Sequence, residues 1–265
     1  MDRVRALIGN RPLSARSVLA SALLGSDYGR LTVAELVAIA SLFGISAGAT
    51  RTCLWRMVTE GELTGEDGSY ALAGRLLERR HRVDDAARID DTAARRWDGS
   101  WELAIVSLER RPAAHRLELR KAASALHLAE LREGVWVRPD NLDPQRLPAS
   151  RAVLDRQCTD FHGATTDIAA EKVRSLFGAD EWTVDAEALI EAMTAPLEQG
   201  VRDDSTKGFA DEFALLIAAV RHLQIDPLLP VEIVGDDWPG HRLRMTYRRF
   251  DAAFKQRLNG IFRRP

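Results

Sequence analysis

Between residues 32 and 48 the chain carries two helix-start signals separated by one short turn, a spacing that few folds accept. Thr32-Val-Ala-Glu35 has the form of a reciprocal capping box; Val33, Leu36, Val37 and Ala40 follow on one face, and Gly44 closes the helix. Ser46 then stands where it can cap a further helix whose inward stripe is Thr50, Cys53, Leu54 and Met57, spaced i, i+3, i+4, i+7. Upstream, Leu13 to about Gly25 places Leu13, Val18, Leu19, Ala22 and Leu23 at helical spacing behind Ser14. Downstream, Leu63-Thr64, a Gly65-Glu66-Asp67-Gly68 turn and Ser69-Tyr70-Ala71-Leu72 predict a short hairpin. Three helices with a tight second turn, followed by a hairpin, predict a winged helix-turn-helix over residues 10–74.

The face opposite the inward stripe defines a candidate DNA-contacting set: Ser46, Ala47, Gly48, Arg51, Thr52, Trp55 and Arg56, with Ser69 and Tyr70 of the hairpin. Small residues at the front of such a helix let its backbone approach a major groove, and Arg51 and Arg56 can reach guanine edges or phosphates. Glu60, Glu62, Glu66 and Asp67 weigh against backbone contact by the wing, since carboxylates repel phosphate. A net charge of -2 excludes a broad basic coat, so any nucleic-acid contact is local. Residues 1–88 hold twelve arginines, no lysine and ten acids, for +2, against 25 bases and 29 acids, for -4, in the rest. Cys53 and Cys158 form neither a disulfide framework nor a zinc spacing and are expected as buried thiols. No stretch approaches the roughly 18 to 20 apolar residues of a membrane span, and the N-terminus lacks a signal-peptide core, so the expected compartment is the cytoplasm.

Several ordered words carry a family resemblance. Leu13-Ser-Ala-Arg-Ser-Val, Gly44-Ile-Ser, Arg51-Thr-Cys-Leu-Trp-Arg-Met and Glu60-Gly-Glu-Leu resemble the N-terminal domain of PaaX-type regulators of phenylacetate degradation. Trp97-Asp-Gly-Ser-Trp101, Leu131-Arg-Glu-Gly-Val-Trp-Val-Arg-Pro139, Asp226-Pro-Leu-Leu-Pro230 and Asp237-Trp-Pro-Gly240 are similar to that family's middle and C-terminal signatures, in the same order. The resemblance implies a dimeric repressor with a winged-helix head, a ferredoxin-like middle domain and a helical C-terminal domain, answering to aryl-CoA thioesters such as phenylacetyl-CoA. The chain departs from the family at Trp55 and at the acidic Glu66-Asp67 tip, so no operator sequence carries over.

The residues beyond the head fit this plan. Gly74 to Arg88 reads as a charged connecting helix with the basic cluster Arg79, Arg80, His81 and Arg82. Trp101 to Leu108 reads as a strand, Ala113 to about Leu131 as a helix, Gly134 to Pro139 as a strand, Arg151 to His162 as a third strand and Ala169 to Phe177 as a helix. From Val184 the segments 184–197, 209–223 and 241–262 all read as helices. The fold class expected is α+β: a winged helix-turn-helix with connecting helix at 1–95, a ferredoxin-like domain at 96–180 and a mainly α-helical domain at 181–265.

Catalysis has no visible residues: there is no Gly-rich phosphate loop, nucleophile elbow or paired-histidine motif, and neither a cofactor nor a metal is expected. A nuclease acting through the middle domain would need a metal-binding carboxylate near the end of its first strand, where Glu109 stands beside two arginines, a poor divalent site. Cys158-Thr-Asp-Phe-His162 offers three ligand types without a second pair. An acyl-CoA effector requires arginines for phosphates and aromatic walls for the acyl group, which makes Trp136, Arg138, Trp238, Arg242 and Arg244 the candidate effector-binding residues. The expected partners are double-stranded operator DNA, a small-molecule effector and a second copy of the chain, with no membrane. The competing reading is a winged helix that binds another protein.

Overall fold

Three hydroxyls fix where the helices of the head begin. Ser14 Oγ accepts from Ser17 N at 3.2 Å, Thr32 Oγ1 from Glu35 N at 3.2 Å, and Ser46 Oγ from Ala49 N at 3.3 Å. Glu35 Oε2 accepts in return from Thr32 N at 2.7 Å, completing the capping box. The computed structural model describes residues 2–9, 13–88, 96–108, 110–199 and 205–262. Within the head it shows α1 (Asp2–Ile8), α2 (Ala15–Gly25), β1 (Arg30–Thr32), α3 (Val33–Ser41), α4 (Ala47–Thr59), β2 (Leu63–Glu66), β3 (Ser69–Leu72) and α5 (Gly74–Arg88).

Helices α2, α3 and α4 pack pairwise. Leu19, Leu23, Leu36, Leu54 and Met57 are fully buried between them, and the buried Thr50 hydroxyl donates to Ser46 O at 3.0 Å. The hairpin pairs Leu63 with Leu72 through Glu66 with Ser69, which leaves a turn of only two residues. Asp67 and Gly68 both take positive φ, 48° and 72°, as a two-residue hairpin of right-handed twist demands. The strand β1 is an element that the sequence pattern does not announce. It pairs antiparallel with β3, Leu31 opposite Tyr70, and makes β3 the centre of a three-stranded sheet in the order β1-β3-β2.

The middle of the chain runs β4 (Trp101–Val106), α6 (Ala113–Ala125), β5 (Ala129–Arg132), β6 (Val135–Pro139), α7 (Pro148–Gln157), β7 (Cys158–Ala164) and α8 (Ala170–Leu176). Its four strands form an antiparallel sheet in the order β5-β6-β4-β7, which with the order βαββαβ is the ferredoxin-like arrangement. Two expectations are corrected here. The helix expected over Ala113–Leu131 stops at Ala125: His127 takes φ 60°, Leu126 and Leu128 both turn into the core, and Ala129–Arg132 pairs with β6. Sheet pairing overrides the helical propensity of that segment. The strand expected over Arg151–His162 is a helix as far as Gln157, started by Pro148 in its first turn, and only then a strand.

Both faces of this sheet are covered. Ala104, Trp136 and Cys158 pack against Leu119, Ala123 and Leu154 of α6 and α7. Trp101, Val135 and Val137 pack on the other face against Val173, Leu229 and Ile233. All five residues of β6 are therefore buried, Arg138 among them.

The remainder is α9 (Ala179–Gln199), α10 (Thr206–Gln224), α11 (Val231–Val234) and α12 (Gly240–Phe262). The chain divides into two compact units: residues 1–87, 188–221 and 244–265 in one, residues 88–187 and 222–243 in the other. In the first, Phe213 meets Phe43 at 5.3 Å and Phe254 at 5.9 Å between ring centroids. In the second, Trp182 stacks between His222 at 4.7 Å and Trp238 at 4.6 Å. Among the described residues no helix is long and apolar enough to cross a membrane.

The junction from wing to connecting helix depends on one glycine. Gly74 has φ 47°, and a Cβ there would stand 2.6 Å from the carbonyl oxygen of Gly61. Replacing Gly74 with Ala is expected to destabilise the protein by about 2 kcal/mol or more, combining an unfavourable φ with a backbone clash. Chemical denaturation followed by circular dichroism measures it, and an unchanged midpoint is the contrary result.

Candidate nucleic-acid interface

The inward stripe of α4 leaves its other face to solvent. Ser46, Gly48, Arg51, Thr52, Trp55 and Arg56 are exposed and Ala47 is half-buried, as the spacing predicts. Trp55 stands 66% exposed on this face. Neither Arg51 nor Arg56 makes an ion pair with a described residue. Ser69 and Tyr70 are half-buried on the central strand, with the Tyr70 ring lying over Gly65. These two side chains contribute less open surface than α4 does.

The acids around this face are less free than their positions in sequence imply. Arg16 Nη2 lies 2.5 Å from Glu60 Oε2 and 2.6 Å from Glu62 Oε1. Arg75 donates to Glu62 Oε1 from Nε at 2.8 Å and from Nη2 at 2.5 Å. Glu62 is buried; burial pushes its carboxyl up, but the Arg16 and Arg75 guanidiniums outweigh that and hold it below the usual glutamate value. Sequence spacing does not reveal Arg16 and Arg75 as partners, because one lies on α2 and the other on α5. At the wing tip Glu66 meets Arg30 at 3.6 Å, and Asp67 is exposed in the turn. The tip stays acidic while the carboxylates at the C-terminal end of α4 are neutralised.

The candidate effector residues are not brought together. Trp136 and Arg138 face the α6 and α7 side of the sheet, whereas Trp238 packs with the cluster on the other side, against Trp182. Arg242 is exposed and paired with Glu187, and Arg244 is buried in the other unit. Arg138 is fully buried and holds loops in place. It donates to the carbonyls of Pro139 at 2.9 Å, Leu126 at 3.0 Å, His127 at 3.3 Å and Leu228 at 3.4 Å, and to Asn141 Oδ1 at 2.8 Å. Burial pulls its guanidinium down to about 9.

The ligand types considered at Cys158, Asp160 and His162 also separate. Cys158 faces the helix-side core, where burial pushes its thiol up to about 11. His162 lies 2.9 Å from Asp140 and 3.1 Å from Asp160 through its two ring nitrogens, and Arg151 pairs with both Glu102 and Asp160. Glu102, Asp140 and His162 come within 4.8 Å of one another, but Arg151 already pairs with Glu102, and the two His162 ring nitrogens are taken up by Asp140 and Asp160. Glu109 lies outside the described residues. In the basic cluster of α5, Arg80 is structural, donating to Ser26 O at 2.6 Å and Asp27 O at 2.9 Å.

A three-helix head with a capped, open third helix, a wing and a ferredoxin-like domain define a winged-helix protein of α+β class. Three family models match in order: PaaX-like protein at residues 14–76, PaaX protein central Cas2-like domain at 94–172 and PaaX-like protein C-terminal domain at 180–264. The chain belongs to the PaaX-like family. Among solved structures it is similar to an uncharacterized protein, Rv0674, from Mycobacterium tuberculosis, at 34% identity and a TM-score of 0.70, with 94% of this chain and 98% of that one covered. No curated protein matches the chain at a significant level.

The buried carboxylate makes a testable acid dependence. A carboxyl held below its ordinary value adds stability that is fully present above that value and is lost as pH falls through the lowered one. Glu62→Gln is expected to cost about 1–2 kcal/mol at neutral pH, allowing for the exposure of both arginines. It is also expected to flatten the fall of the melting temperature as pH drops below the ordinary glutamate range. Equal slopes for the two proteins are the contrary result.

Proposed function

We propose that this PaaX-like regulator is a cytoplasmic, homodimeric DNA-binding repressor of a phenylacetate-type aromatic-acid catabolic operon, released from its operator by an aryl-CoA effector. The observation that carries the DNA-binding part is the open face of α4. Two arginines without ion-pair partners among the described residues, a threonine and an uncovered tryptophan share one helix face behind a small-residue N-terminus. Arg51 and Arg56 read base edges or hold phosphates, Thr52 and Trp55 offer apolar contact to thymine methyls and sugars, and the Ser46 end of the helix meets the backbone. Because Glu60 and Glu62 are neutralised by Arg16 and Arg75, repulsion near the groove is confined to the wing tip. Two such helices in a two-fold dimer meet successive major grooves and favour a palindromic operator with half-sites about one helical turn apart. Occupancy then blocks transcription. The effector reading and the pathway rest on family kinship.

The acidic tip at Glu66 and Asp67 favours a second reading, in which the head docks on another protein and the wing tip meets basic residues there. One titration separates the two. Binding to the protein's own promoter fragment is measured by fluorescence anisotropy across a salt series, with and without phenylacetyl-CoA. Arg51→Ala and Arg56→Ala are each expected to weaken binding by about 10- to 100-fold, and to lower the salt slope by about one for each phosphate that is no longer neutralised. Phenylacetyl-CoA is expected to weaken operator binding. Specific binding indifferent to the thioester removes the effector, and no specific binding at any salt removes the repressor reading in favour of a protein partner.

A further inference from the structure

The unit that holds the winged helix also contains a half-open cavity of about 310 Å³, at the small end of ligand pockets, which run to roughly 1,000 Å³. Its walls are apolar, with Ile39 from α3, Val83 from α5, Phe213 and Ile217 from α10 and Phe254 from α12. Its charged lining comprises three carboxylates, Asp27, Glu35 and Asp251, and four cations, Arg30, Arg79, Arg221 and Lys255. Lys255 Nζ lies 2.9 Å from Asp251 and 3.3 Å from Asp27, and Glu35 is engaged in the Thr32 capping box. The lining carboxylates therefore have partners. Arg79 and Arg221 also line the cavity, and neither pairs with a described carboxylate. Burial, then the positive charges of Arg221 and Arg82, lower the Arg79 guanidinium, so two like charges face one partly desolvated space. Tyr247 adds a hydroxyl to the lining; its burial beside Asp251 and Asp84 keeps it protonated.

We propose that this cavity binds a compact apolar carboxylate, with its hydrocarbon body among Ile39, Val83, Phe213, Ile217 and Phe254 and its carboxylate between Arg79 and Arg221. Two guanidiniums without a carboxylate partner select an anion, because a neutral ligand leaves their repulsion uncompensated. Apolar walls adjoining them select an anion joined directly to hydrocarbon. A coenzyme A thioester fits this arrangement poorly: its acyl end is neutral, and a long arm separates that end from the nearest phosphate. The site is independent of the DNA-binding reading and differs in ligand from the aryl-CoA effector.

The test is calorimetric titration of the full-length protein, without DNA, using octanoate, octanamide and octanoyl-CoA as probes. Octanoate is expected to bind at least about tenfold tighter than octanamide. Arg221→Ala, an exposed position, is expected to remove most of that preference, and Arg79→Ala to do the same. Ile217→Trp, which fills the cavity, is expected to abolish octanoate binding with an unchanged circular dichroism spectrum. Equal affinity for octanoate and octanamide overturns the proposal, as does octanoate binding that survives Ile217→Trp. Octanoyl-CoA binding tighter than octanoate and abolished in Ile217→Trp overturns the choice of a free acid. Failure of promoter binding in the preceding titration leaves this result untouched.

Discussion

The orientation of the open face of α4 rests on one buried carboxylate. Glu62 sits at the turn where α4 ends and the wing begins, and a single oxygen, Oε1, receives donors from Arg16 on α2 and Arg75 on α5. Three segments that must keep fixed angles for α4 to present its face are thereby tied to one atom. The apolar core cannot do this alone. Leu54, Met57 and Leu63 bury well in a range of small rotations, whereas a buried charge with partners on both sides tolerates few. Contacts from two guanidiniums to Oε1 oppose the cost of desolvating Glu62, whose Oε2 is buried without a partner among the described residues, and the more exposed Glu60 shares Arg16.

The same logic recurs in the ferredoxin-like domain with the sign reversed. Arg138 lies at the end of β6 on a strand buried on both faces, and its donors reach carbonyls that follow α6, that end β6 and that belong to the Leu228 loop. Asn141 supports it by donating to Leu228 O at 3.1 Å. A guanidinium with planar, fixed donors suits this task, since it reaches carbonyls at a helix end, at a strand end and in a loop together. An arginine that sequence reasoning offers to a ligand is here occupied in closing the backbone's own hydrogen bonds.

That contrast marks where the sequence is legible. The caps at Ser14, Thr32 and Ser46, the inward stripe of α4 and the Asp67-Gly68 turn follow from interactions within a few residues, so spacing alone reveals them. The exposed face of α4 follows too, because a helix with one buried stripe must turn its remainder outward. The three-residue β1, the edge strand β5 and the helix α7 are set by tertiary pairing or by a local turn at Leu147, and their own periodicity is weak or misleading. Convergence is harder still. Trp136 and Trp238 look equivalent as aromatic wall residues but lie on opposite faces of a sheet, while Arg79 and Arg221, far apart in the chain, line one space. In the sequence Arg79 is visible only as part of a charged helix face. Its role depends on which neighbour α10 brings to it.

The position of that space bears on how a ligand could reach the DNA-binding face. Arg30 and Leu31 of β1 line the cavity, as do Glu35 and Ile39 of α3. The strand β1 is hydrogen-bonded to β3, the central strand of the wing sheet, and Glu35 is the residue whose carboxylate closes the cap on Thr32 at the β1–α3 junction. A ligand held here would touch a junction that is joined to the wing through the β1–β3 pairing and to α4 through its packing with α3. Contact alone gives no regulation. The ligand shifts DNA affinity only by the difference in its own affinity for the DNA-competent and DNA-incompetent arrangements, and DNA weakens ligand binding by the same factor. A tenfold effect needs about 1.4 kcal/mol of that difference, comparable to one or two hydrogen bonds at the junction. The capping box supplies interactions of that size at the place where the cavity, the wing and α3 meet.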